Sequence, residues 1–235
     1  MTPVPLLGAK LLPPSIGPLH LPRPRLHDRL ASGLEGHATF VVAGPGYGKT
    51  GLVARFLRDL GGDSVWYWLD PSDRDPWMLF RYLIQGVKEH APEFGERSEG
   101  LWDSLRSASD QPERLADIFM SDAQESLGGR LVLVLDNVQH LAGSDLCARA
   151  LRRLVAYLPG PLHLVLTGRS LPEPGLKNLG HEAAVNVLQG DDLLFTAEET
   201  RTLLLQTFGL PMKDEVVARI HARTRGWVTA LQLLR

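Results

Sequence analysis

The sequence predicts an α/β fold, an open parallel sheet with helices on both faces, followed by a small helical subdomain. Three observations carry that prediction. Strand-like and helix-like periods alternate from residue 37 to about residue 190, the order that right-handed crossovers between parallel strands require. The strand run LVLVL at 131–135 is continuously apolar, as strands buried on both faces are, and LHLVLTG at 162–168 is a second largely apolar run. After Leu194 the strand periods stop, and three helical segments follow with no strand between them.

Taken in order, residues 1–24 hold seven prolines, Pro3, Pro5, Pro13, Pro14, Pro18, Pro22 and Pro24. Each fixes φ and lacks a donor, so an extended arm over the surface is expected. A helix follows, with Leu26, Leu30 and Leu34 four apart. Next come a strand at 37–43 and a helix at 48–60 with Leu52, Val53, Phe56, Leu57 and Leu60 on one side. The run VWYWL at 65–69 is aromatic-rich, as strands often are; Trp66, Tyr67 and Trp68 read as packing rather than as a base-stacking platform. Asp75 and Pro76 open the next helix, an N-cap followed by proline at the first helical position. Residues 91–111 are polar and irregular, and helical spacing resumes over 112–127. A helix at 146–157 joins the two apolar strands, and a weaker fifth strand is expected at 184–188. Thr196 and Glu199 form a capping box at the head of the helical tail, so an α/β body at 25–194 and a subdomain at 195–235 are expected. The chain stops at Arg235 inside an amphipathic run, VTALQLLR, so a longer protein is expected to continue beyond it.

Composition excludes several functional classes. At 235 residues, 44% apolar and 22% charged, the chain is ordinary globular material rather than a disordered, collagenous or disulfide-stapled one. With 25 Lys+Arg against 27 Asp+Glu, no bulk positive field exists to hold nucleic acid or an anionic membrane. The one cysteine, Cys147, lies in an apolar helical stretch and reads as a small buried hydrophobe. His140 and His163 have no partners at metal-ligand spacing and read as structural, and Arg149, Arg152 and Arg153 read as a solvated helix face. Prolines interrupt the N-terminus where a signal peptide would need an apolar run, and no run approaches the ~20 residues of a membrane span, so a cytoplasmic location is expected.

The chemistry concentrates in Ala43-Gly44-Pro45-Gly46-Tyr47-Gly48-Lys49-Thr50, set between the strand TFVVA and a helix. Small residues there let the backbone wrap a phosphate with its N–H groups inward, and the helix directs its positive end at the same anion. Lys49 would reach the β- and γ-phosphates, and the Thr50 hydroxyl would ligate Mg²⁺. The first motif position holds Ala43 rather than glycine. Asp136, ending LVLVL, supplies the second metal-positioning group; an Asp ending a strand is commonly a turn cap, but the phosphate loop upstream gives this one a metal role. With a strand between the two motifs, the arrangement resembles that of P-loop proteins that activate water rather than that of simple nucleotide kinases. Asn137 follows, an amide that can orient a water but cannot deprotonate it, so slow hydrolysis at best is expected. Arg169, after the fourth strand, is either a γ-phosphate sensor or a solvated surface arginine.

Several segments together resemble the nucleotide-binding domain of the STAND class of P-loop NTPases, in the branch of MalT-like, LuxR-type transcription regulators. They are KLLPP with LPRPRL, AGPGYGKTGL, WYWLDPSDRDPW, LVLVLDNVQHL, LHLVLTGRS, and DDLLFTAEET with TRGWVTALQLL, in family order over nearly the whole chain. The resemblance implies an AAA+/STAND-like sheet and a ligand-gated switch. ADP would hold a closed form, and an inducer with ATP would open it for self-association and transcription activation. It also implies that Arg23 lies near the nucleotide, that Gly226, Trp227 and Val228 help close an adenine pocket, and that Arg169 takes the sensor position. Ala43 is usual in the branch. Two departures stand out: Asn137 replaces a second Asp, and Gly51 replaces a second Thr, leaving only a backbone N–H for the α-phosphate. DNA contact is expected only through a C-terminal part outside these residues.

Three functions are therefore open: a regulatory ATP/ADP switch with Mg²⁺ and slow turnover, an active P-loop ATPase or phosphotransferase, and a pseudo-ATPase scaffold. The segment 171–187 has one Lys and no Arg, which argues against the Arg-rich lid of a kinase, and intact Gly48, Lys49, Thr50 and Asp136 argue against a scaffold.

Overall fold

The computed structural model describes residues 6–17, 21–96, 111–172, 175–176 and 185–234. Its centre is a five-stranded sheet: β1 (Ala38–Val42), β2 (Asp63–Trp68), β3 (Leu131–Asp136), β4 (Leu162–Gly168) and β5 (Val185–Gln189). Their order across the sheet is β2-β3-β4-β1-β5, and every pairing is parallel. The parallel α/β sheet read from the sequence is thus the one observed. The fifth strand runs over Val185–Gln189; residue 184, where it was expected to begin, lies outside the described residues.

Helices cover both faces. One face carries α3 (Pro76–Lys88), α4 (Pro112–Ser126) and α5 (Asp145–Tyr157); the other carries α1 (Pro24–Gly33) and α2 (Lys49–Leu60). The alternation of β3 divides its residues between them. Leu131, Leu133 and Leu135 enter the three-helix face, and Val132 and Val134 enter the two-helix face. This is why LVLVL is apolar without a break. Trp66 and Tyr67 are buried on opposite faces, as packing residues. Cys147 is fully buried, and its thiol is pushed up to about 11 by burial, so it is unreactive packing.

Two expectations need correction. The arm is not extended throughout: Gly8–Leu11 form a 3₁₀ turn that buries Leu11 in the main core. Lys10 explains the docking. Its ammonium is 2.7 Å from the buried Asp73 carboxylate and 2.8 Å from that of Asp70, and the Tyr67 hydroxyl donates to Asp73 at 2.8 Å. The prolines restrict φ but do not forbid a turn where none of them stands. The basic run on α5 is not merely solvated either. Arg149 and Arg153 make ion pairs to Glu113 and Asp117 on α4, at 2.6 and 2.7 Å.

Beyond β5 the chain is helical: α6 (Gly190–Leu193), α7 (Ala197–Arg201), a π-helical turn (Thr202–Thr207), α8 (Asp214–Thr224) and α9 (Val228–Gln232). The capping box at the head of α7 is present, with Thr196 accepting from the Glu199 amide. Phe195, Leu203 and Leu231 form a separate small core here. Among the described residues, no helix is long and apolar enough to cross a membrane.

Candidate functional site

In a parallel sheet all strands end on the same side, and that edge gathers the site. Val42 at the end of β1 pairs with Gly168 and Gln189, and Asp136 at the end of β3 pairs with Trp68 and Thr167. The loop 43–48 leaves β1 and turns into α2, whose N-cap is Gly48. Gly48 has no side chain to cap that helix, so the first-turn N–H groups have no side-chain acceptor from the N-cap. Gly46, at φ +74°, takes a conformation that disfavours other residues. Among the described residues, Gly46, Tyr47 and Gly48 donate no backbone hydrogen bond to another backbone group. Pro45 is exposed at the loop's tip, while Tyr47 tucks against the two-helix core.

The polar side chains converge. Thr50 Oγ1 donates to Asp136 Oδ2 at 2.8 Å. Asp136 is 1% exposed, and its Oδ1 accepts from the Asn137 amide at 2.9 Å and from the Thr167 hydroxyl. Lys49 Nζ folds back to donate to the carbonyls of Ala43 and Gly44 at 2.9 and 2.8 Å. Burial pulls its ammonium below the usual lysine range; the Asp136 charge opposes that shift and the Arg169 cation adds to it. Arg169 therefore shares this edge, with its side chain exposed. Gln139 ties two of these residues together, its Oε1 accepting from the Arg169 amide at 3.0 Å and its Nε2 facing Asn137 Oδ1 at 3.4 Å. Asn137 stands in the left-handed region at φ +65°, which asparagine tolerates better than most residues.

Two residues sit differently from the core of the site. Arg23 is 4% exposed, and its terminal nitrogens donate to the Leu193 and Leu194 carbonyls and to Glu199, none of them in the phosphate loop. Its guanidinium lies 4.2 Å from the Phe195 ring centre, and its buried Nε has no hydrogen-bond partner among the described residues. Trp227 is at the loop itself: a Cβ on Gly46 would lie 3.1 Å from its ring. Its buried Nε1 likewise has no hydrogen-bond partner among the described residues.

The sequence reading missed Thr167, Gln139 and Thr229. A hydroxyl at the end of an otherwise apolar buried strand was the available signal for Thr167. Gln139 carried none. Thr229 donates from both its hydroxyl and its N–H to the Gly46 carbonyl, at 2.9 and 3.3 Å, across most of the chain.

The phosphate-loop edge lies within a segment, residues 35–171, that matches the model of the AAA domain family. The chain belongs to this family. The AAA domain here is similar to an HTH-type transcriptional regulator MalT from Serratia proteamaculans, 33% identical over 214 residues, which covers 90% of this chain and 23% of that protein. A MalT from Yersinia enterocolitica is 29% identical over 221 residues, 92% of this chain and 24% of the relative. The chain thus spans about a quarter of the length of the curated relatives it matches. Among solved structures, a STAND protein with a tetratricopeptide repeat sensor from Pyrococcus horikoshii superposes with a TM-score of 0.64 at 16% identity, covering 98% of this chain and 31% of that one. A Walker-type ATPase of Pyrococcus abyssi gives 0.54 at 14% identity, with 88% and 64% covered. The AAA domain therefore has the P-loop fold of these proteins, and the resemblance to MalT-like regulators read from its motifs extends over nearly its whole length.

Proposed function

We propose that this chain is the nucleotide-switch domain of a signal-responsive transcription regulator, binding ADP or ATP with Mg²⁺ and hydrolysing ATP slowly or not at all. One observation carries the reading: Lys49, Thr50 and Asp136 converge on one sheet edge, while the next residue, Asn137, is an amide that cannot take a proton from water.

The residues fit a metal–nucleotide group. A threonine hydroxyl 2.8 Å from a buried carboxylate is the oxygen pair such an ion takes, and the amides of Gly46, Tyr47 and Gly48 are unclaimed by backbone among the described residues. Mg²⁺, when bound, neutralises phosphate charge. Thr50 and Asp136 would hold it, and Lys49 would exchange its two carbonyl partners for phosphate oxygens. The Gly51 N–H would serve the α-phosphate. Arg169 is assigned the γ-phosphate, Trp227 the base, and Arg23 the nucleotide's surroundings through its free Nε. The regulator role is supported by the similarity to MalT. Self-association in the ATP state, DNA contact through a part outside this chain, and a cytoplasmic location belong to the same reading.

Calorimetric titration of residues 1–235 with ADP and with a non-hydrolysable ATP analogue, both with Mg²⁺, tests it. Micromolar or tighter ADP binding, weaker for the analogue, is expected, and Lys49→Ala is expected to abolish both. No binding of either nucleotide by the unaltered chain would overturn the proposal.

A further inference from the structure

Thr229 is the second residue of α9, and both of its donors meet one acceptor, the Gly46 carbonyl in the phosphate loop. The peptide joining Gly46 to Tyr47 is trans, so its N–H points opposite to its carbonyl. Holding the carbonyl toward α9 therefore turns the Tyr47 N–H away from that helix, and this N–H donates to no backbone group among the described residues. Without that hold a Gly46 peptide is free to rotate, since glycine occupies positive and negative φ with similar ease. The contact is tight as well: a Cβ on Gly46 would collide with Thr229, and one on Gly48 would touch Val228 at 3.4 Å.

From this geometry we propose that Thr229 is a positioning residue for phosphate binding. Its hydroxyl fixes the Gly46–Tyr47 peptide with the Tyr47 N–H facing the anion, and so couples nucleotide occupancy to the seating of α9 on the loop. Coupling of this kind is reciprocal: whatever lifts α9 weakens the grip on phosphate, and bound phosphate holds α9 down by the same factor. The α9 end is itself anchored. The Phe195 amide donates to the Gly226 carbonyl at 2.8 Å, and Phe195 carries the Arg23 guanidinium on its ring. A movement of the helical tail thus reaches the phosphate loop through Thr229.

The inference rests on the proposed function, and the experiment separates the two. Release of a fluorescent ADP analogue is followed by stopped flow for the unaltered chain, Thr229→Val and Thr229→Ser. Loss of one hydrogen bond predicts release about 3- to 10-fold faster in Thr229→Val, and Thr229→Ser, which keeps the hydroxyl, is expected to release at close to the original rate. Equal rates in all three overturn the inference alone. A Ser variant as fast as the Val variant overturns it too, because the methyl packing and not the hydroxyl would then matter. No binding by the unaltered chain overturns both readings. Should Thr229→Val fail to fold, hydrogen exchange on the unaltered chain decides: ADP is expected to slow exchange at Tyr47 and at Thr229 together, and ADP that protects Tyr47 alone overturns the coupling.

Discussion

At Asn137 one atom separates an amide from a carboxylate. Its backbone N–H donates to Asp136, so its side chain starts beside that carboxylate. An amide there can hold a water but cannot accept its proton. If the proposed switch is slow for want of a base here, Asn137→Asp supplies one, and ATP hydrolysis is expected to rise about 100-fold, measured as phosphate release. Unchanged turnover would place the limit elsewhere, in nucleotide release or domain opening. That Lys49, Thr50 and Asp136 meet at one edge was legible in the sequence because a loop between a strand and a helix, with an acid ending another strand, fixes where those residues stand. Thr229 was not, because its partner is a backbone carbonyl 183 residues away and any residue type can offer that carbonyl.

Between elements, Glu199 shows how one residue can be half legible. Its local role, the capping box with Thr196, follows from spacing alone. Its second role appears only in the fold: Glu199 accepts from Arg23 and from Arg25, at the start of α1, while the same two arginines bond carbonyls of the segment that leads into α7. Burial would raise the Glu199 carboxyl, but the bonds from Arg25 and Arg23 outweigh it and hold it below the ordinary range. Glu199→Ala would leave Arg23, with its side chain 5% exposed, facing only carbonyls. A loss of about 2–3 kcal/mol in urea unfolding is expected, below the figure for a fully buried pair because Glu199 keeps some solvent contact. Arg25→Ala, whose side chain is 38% exposed, is expected to cost less. Equal losses would mean that the buried Arg23 pair carries no special weight. The strands were legible for a simpler reason, since leucines and valines filling two faces leave no polar gap in LVLVL.

For the molecule as a whole, one contribution to acid stability lies at the opposite edge of the sheet. His163 Nδ1 donates to the Gly36 carbonyl at 2.9 Å, which leaves Nε2 to accept from the Thr39 hydroxyl at 3.1 Å. Burial pushes this imidazole down to about 4. The unfolded chain takes up the same proton near 6.5. Between those values the unfolded state binds more protons than the folded one, so stability falls as pH is lowered across the window. His163→Gln is expected to show a shallower drop in urea midpoint from pH 7 to pH 5; parallel drops would assign the acid sensitivity to other groups. The bond between Thr229 and Gly46 also has a consequence for how the protein is made. A ribosome adding about 5–20 residues per second needs roughly 10–40 s to pass from one to the other. Throughout that interval the nascent chain carries a complete phosphate motif without the helix that seats it. On the coupling proposed for Thr229, a nucleotide arriving early would meet a looser loop, and the finished grip would come only once α9 has cleared the exit tunnel.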